Sequence, residues 1–185
     1  MTVKKVIAIG GIPGTGKSTL MKAFMSSYGG EWIRSRPVVP LDTERSSDGL
    51  VEVLGKYDEG EVFSGTDRLS MSVQTQAKEY LQSEDAVETI VFEGDRLFNG
   101  SFLNFIIEQG ISLEIIILNV DSVILKERYE ERGSNQSEKF IQGRVTKYDK
   151  ILSSFEFMPY ITEFFHMNEE DTRTIVKYIN LSLGE

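Results

Sequence analysis

The sequence predicts an α/β fold in which five parallel strands alternate with helices. Three observations predict it. A glycine-rich turn joins an apolar run, VIAI at 6–9, to a segment in which Leu20 and Phe24 stand four apart. Further short apolar runs at 37–41, 88–93, 113–120 and 160–167 are separated by stretches of helical periodicity. The run at 113–120, LEIIILNV, is nearly continuous, the pattern of a central strand buried on both faces.

The first strand and its turn also carry chemistry. In GGIPGTGKST at 10–19, Gly11 is followed by four residues and then by Gly16, Lys17 and Ser18, the spacing of a phosphate-binding P-loop in its strand-to-helix context. Gly11, Gly14 and Gly16 let the backbone turn tightly and bring its N–H groups up to phosphate oxygens. The helix that starts near Lys17 adds free N–H groups and the positive end of its dipole. Lys17 is expected at the β- and γ-phosphates and Ser18 in the shell of a magnesium ion, with Thr15 in the cradle and Thr19 on the α-phosphate side.

Composition narrows the class. The chain has 185 residues, 40% hydrophobic and 26% charged, enough for one domain with a proper core. No apolar run reaches the length of a bilayer span, and the N-terminus runs straight into the first strand, so a cytoplasmic location is expected. The absence of cysteine excludes disulfides, thiolate metal sites and cysteine nucleophiles. A net charge of −9 opposes a broad nucleic-acid footprint but leaves room for a local basic groove. Lys and Arg gather over 126–150.

The remaining elements follow in order. Tyr28, Gly29 and Gly30 end the first helix, and PVVPL at 37–41 is expected as the second strand. Asp42 then falls at a carboxyl end of the sheet, where it either caps a helix or orients an acceptor hydroxyl and takes its proton. A short helix is expected over 50–56 and a loop over 58–60. GTDRLSM at 65–71 feeds a helix to about Leu81, with Leu69, Val73, Ala77 and Leu81 repeating every four; Asp67 or Ser70 caps it, or Asp67 and Arg68 bind an acceptor. ETIVFE at 88–93 is the third strand, and Glu93 stands at its end, where a carboxylate holds magnesium beside the P-loop serine. Gly94 allows a close approach, while Asp95 and Arg96 either pair or bind acceptor groups. A helix over 101–109 stops at Gly110. After the fourth strand, Asp121 or Ser122 caps a helix through Arg132, and a second helix runs over 136–155 with Phe140, Ile141, Val145, Tyr148 and Leu152 on its apolar face. Arg128, Arg132, Arg144 and Lys147 on this pair are either a solvated basic face or a clamp for a transferring phosphoryl group. YITEFFHM at 160–167 is the fifth strand, Asn168 the N-cap of a last helix, and His166, the only histidine, a structural residue.

Taken together, these motifs resemble the P-loop kinases related to nucleoside monophosphate kinases and polynucleotide kinase, over most of the chain. The resemblance implies a three-layer P-loop fold with a five-stranded parallel sheet in the order 2-3-1-4-5 and a helical lid. It implies one kinase domain over 1–185, with the lid at about 126–150 and an acceptor-binding insertion at about 43–85. By this likeness Lys17 and Ser18 bind the phosphates and magnesium of ATP, Asp42 is the general base, Asn168 falls near adenine, and Arg128, Arg132 and Arg144 belong to the lid. GTDRLSM, FEGDR at 92–96 and GRVTKY at 143–148 look like bacteriophage kinases that phosphorylate 5-hydroxymethyluracil in DNA. That narrower likeness implies such DNA as acceptor, with a duplex base flipped toward Asp67 and Arg68. A small-molecule nucleoside or nucleotide kinase is the first alternative, and a nucleotide-gated binding protein the second.

Overall fold

A computed structural model describes residues 3–58, 64–131 and 138–184. Arg132 and the glycine turn after it lie outside the described residues, as does the side chain of Phe140. The strands are β1 (Lys5–Gly10), β2 (Trp32–Val38), β3 (Leu41–Ser46), β4 (Val51–Leu54), β5 (Thr89–Glu93), β6 (Ser112–Asn119) and β7 (Ile161–Phe165). The helices are α1 (Lys17–Tyr28), α2 (Gln74–Leu81), α3 (Gly100–Glu108), α4 (Ser122–Glu131), α5 (Glu138–Leu152) and α6 (Glu169–Ser182).

One sheet runs β2-β3-β4-β5-β1-β6-β7, so it has seven strands rather than the expected five. The five strands from β4 to β7 in that row are parallel and keep the expected order. The second parallel strand, however, is β4 and not 37–41. Pro40 falls in a turn, and the residues around it form an antiparallel hairpin, β2 and β3, added to the sheet edge. The expected short helix over 50–56 is also corrected, because β4 occupies it. Four buried residues, VEVL, are too few to reveal a period, and Glu52 among them reads as solvent-facing. It is instead fully buried and held by Thr43, by Tyr80 and by Arg45 at 3.1 Å.

Alternation along the strands builds two core layers. Val6, Ala8, Ile90, Phe92, Ile115 and Ile117 face α2, α3 and α5, while Ile7, Ile9, Val91, Ile116 and Leu118 face α1 and α6. Each fully buried Phe, Leu or Ile contributes on the order of 1.5–3 kcal/mol of transfer free energy. With helices on both faces, every parallel strand ends at one common rim. Gly10, Leu54 and Glu93 stand there, followed by the turns that carry the candidate residues.

Candidate active site

The glycine loop after β1 has the geometry its sequence demands. Gly11, Gly14 and Gly16 take φ of 147°, 87° and 88°. A Cβ on Gly16 would lie 2.5 Å from the His166 ring, and one on Gly14 would lie 2.8 Å from Leu125 and Tyr129. The loop is therefore packed from behind, which leaves its concave side to a ligand. No side chain caps α1 and no acidic residue stands in its first turn, so its leading amides suit an anion. Lys17 Nζ donates to the carbonyls of Gly11 (2.7 Å) and Ile12 (3.3 Å), Thr15 is buried with its hydroxyl on the Ile12 carbonyl (2.9 Å), and Thr19 is exposed.

Four carboxylates on the sheet rim differ sharply in their surroundings. Glu93 is buried and accepts a hydrogen bond from Ser18 Oγ at 3.0 Å. Burial, opposed by Lys17 and reinforced by Asp67, pushes its pKa up to about 7. Asp67 follows Gly65 and Thr66, whose hydroxyl donates to the Glu93 carbonyl at 2.8 Å, and its Oδ1 accepts from the Asp95 amide at 2.7 Å. Burial and the neighbouring Asp95 carboxylate raise the Asp67 pKa, against Lys17. Gly94 permits this close approach, since a Cβ there would lie 2.6 Å from the Thr66 hydroxyl and 3.2 Å from the Asp67 carboxyl carbon. Asp95 pairs with the basic helix: Arg144 reaches it at 3.1 Å and Lys147 at 3.2 Å. Arg96 instead donates to the Leu69 carbonyl at 3.4 Å.

Asp42 reaches the same rim by an unexpected route. It is the second residue of β3, whose antiparallel course puts its carbonyl on the Gly55 amide just past β4 (2.9 Å). Arg36 at 2.5 Å and Lys56 at 2.9 Å grip its carboxylate. Burial pushes its pKa up, but the two cations outweigh it and hold the acid below the usual carboxylate range. Beside it, Arg34 bridges Glu44 (2.8 Å) and Asp58 (2.6 Å), and Arg68 also binds Asp58.

The basic region after β6 splits between two tasks. Arg128 on α4 donates to the Gly14 carbonyl (3.1 Å) and to the carbonyls of His166 (3.0 Å) and Met167 (3.1 Å). Arg144 and Lys147 on α5 lie on Asp95 across the rim. Asn168 caps α6, accepting from the amides of Glu170 and Asp171 at 2.8 and 3.0 Å while Asp171 returns a bond to its amide. His166 is buried between the Thr15 carbonyl (2.7 Å) and the Thr172 hydroxyl (2.8 Å).

The donor set at Ser18 and Glu93 fits magnesium, being a hydroxyl and a buried carboxylate, both hard oxygen ligands, 3.0 Å apart. Among the described residues no three His, Cys, Asp or Glu side chains gather as a metal cluster. An ion here would complete its shell with phosphate oxygens and water, as magnesium commonly does. Sequence reasoning passed over Tyr57 and Thr66. Tyr57 lies three residues past β4, and correct placement of that strand is the signal that would have found it.

Solved structures resemble this one in fold. A gluconokinase from Sinorhizobium meliloti 1021 shares 15% identity over 98% of this chain and 99% of its own, with a TM-score of 0.50. A shikimate kinase from Bacteroides thetaiotaomicron has 16% identity over 98% and 99%, with a TM-score of 0.45. At that identity the gluconokinase shows the fold alone. No curated protein matches the chain in sequence. Among the described residues no helix is long and apolar enough to cross a membrane. A family model described as P-loop Nucleotide Kinase3 matches residues 2–180, and the chain belongs to that family: it is a P-loop kinase, a phosphotransferase.

Proposed function

We propose that the chain transfers the γ-phosphoryl group of ATP to a hydroxyl of a small molecule of the nucleoside or nucleotide class. The observation that carries this reading is the convergence of Lys17, Ser18, Glu93 and Asp67 on one rim of the sheet, in a chain of the nucleotide kinase family. The loop amides and Lys17 hold the triphosphate, and Ser18 and Glu93 would hold magnesium. That ion would supply charge neutralisation at the transferring phosphoryl group. The acceptor oxygen attacks the γ-phosphorus, the bond to the ADP oxygen breaks, and the hydroxyl proton passes to Asp67. Asp67 suits that step better than Asp42, because its raised pKa lies closer to neutrality and Asp42 is neutralised by two cations. Arg144 and Lys147 bring positive charge to the same edge through Asp95.

A DNA acceptor has less support. The comparisons name nucleotide, gluconate and shikimate kinases, and the net charge of −9 opposes a phosphate backbone. The test is label transfer from γ-labelled ATP to a panel of thymidine, thymidine monophosphate, 5-hydroxymethyldeoxyuridine, gluconate and hydroxymethyluracil-containing DNA. Label in a nucleoside or nucleotide is expected. Label in the DNA alone would overturn the small-molecule reading, and nucleotide binding with no transfer would favour a nucleotide-gated binding protein.

A further inference from the structure

Tyr57 presents a polar atom that the fold does not use. Its ring packs against the core layer of α1 and α6, so the direction of its hydroxyl is fixed. The hydroxyl is buried and has no hydrogen-bond partner among the described residues. A buried hydroxyl left unpaired is costly, so such a group in a native site calls for a cause.

Its position supplies one. The hydroxyl lies 3.0 Å from the point where a Gly65 side chain would begin, and Glu93 Oε1 lies 2.4 Å from that same point. Glu93 in turn holds Ser18 at 3.0 Å, and Asp67 follows Gly65 by two residues. Gly65, at φ 71°, therefore has no room for a side chain: its backbone comes directly against the Tyr57 hydroxyl and the Glu93 carboxylate, which meet at the same point. Burial, then Glu93, Asp67 and Glu44, hold the Tyr57 pKa well above its usual value. The phenol keeps its proton and can only lend it, as a hydrogen-bond donor beside carboxylates that accept.

We propose that Tyr57 is an acceptor-binding residue whose hydroxyl donates a hydrogen bond to the oxygen that attacks the phosphoryl group, fixing it beside Glu93. The assignment rests on the phosphotransferase reading above and adds a residue to it. A hydroxyl acceptor has a lone pair to receive this bond while its own proton leaves for Asp67, so one oxygen is gripped from two sides.

The test does not require the natural acceptor. In a complex of MgADP with fluoroaluminate, a planar fluoride mimics the transferring phosphoryl group and a water takes the attacking position. Calorimetric titration of MgADP, with and without fluoroaluminate, is run on the wild type and on Tyr57→Phe. The variant is expected to bind MgADP within twofold of the wild type, to lose at least tenfold of the fluoroaluminate tightening, and to melt no lower. Tightening retained within twofold overturns the assignment, as does a clear fall in melting temperature, which would mean that the hydroxyl is bonded within the fold. A wild type without fluoroaluminate tightening also overturns it; label transfer to the acceptor panel then decides separately whether the kinase reading stands.

Discussion

Two aspartates on one rim are prepared for different tasks by their neighbours. Asp42 sits between Arg36 and Lys56, and its folded-state pKa is lowered, so it is a charge anchor that ties the hairpin to the turn after β4. Burial and then the Asp95 carboxylate raise the pKa of Asp67, against Lys17 and the backbone amides of Asp95 and Arg96. A base works best when its pKa approaches that of its medium. Asp67→Asn keeps an oxygen for the Asp95 amide and removes only the ability to take a proton. It is expected to cut the rate of label transfer by about 10²–10⁴-fold with ATP binding preserved. Asp42→Asn is expected to cost less than about tenfold in rate and to act mainly on stability. Steady-state kinetics of both variants decide the assignment, and the reverse ranking would return the base to Asp42.

At the scale of elements, legibility followed length and period. β1, β5 and β6 could be read because each is a nearly unbroken apolar run with a charged or glycine stop, and the P-loop because its glycines, lysine and serine keep their spacing between a strand and a helix. Asn168 could be read as a cap because Glu169, Glu170 and Asp171 follow it, and the structure completes the motif as a reciprocal capping box. The hairpin could not. Its strands are matched by cross-strand charges, Arg34 standing directly opposite Glu44 in the register, a relation invisible until the strands are paired. Misplacing it displaced the second parallel strand and hid Tyr57, while Asp42 arrived on the expected rim from the antiparallel side. The contact between Glu93 and Ser18 was legible because each ends or begins an element whose bounds were right. The cap supports a further expectation. Asn168→Ala should lower unfolding free energy by about 1 kcal/mol in denaturant titration, and Asn168→Ser should restore most of it. A large rise in the Michaelis constant for ATP with unchanged stability would instead place the residue at the nucleotide.

Across the whole molecule, the loop is gripped between two buried groups whose titrations run in opposite senses. On one side is Glu93, whose folded pKa of about 7 exceeds the unfolded value of 4.5. The folded state there binds the extra proton, so this group's stabilisation is present in acid and lost as pH rises through about 7. On the other side is His166, which touches the loop through Thr15 and α6 through Thr172. A carbonyl can only accept, so Nδ1 carries the proton of the neutral ring. Burial lowers the pKa of His166, against the Thr15 carbonyl and with Arg128 adding to the fall. The unfolded chain then binds the proton first, and stability is lost as pH falls below the ordinary histidine value of 6.5. In the wild type the two slopes oppose each other between about pH 5.5 and 7, so each becomes visible only when the other is removed. Denaturant titrations from pH 5.5 to 8 are therefore expected to show His166→Gln losing stability steadily with rising pH, and Glu93→Gln gaining it up to about neutrality. Parallel pH profiles for the two variants would mean that neither group is held as its contacts imply. Saturating magnesium and ADP should flatten the His166→Gln profile, because a cation at Ser18 and Glu93 keeps the carboxylate ionised without loss.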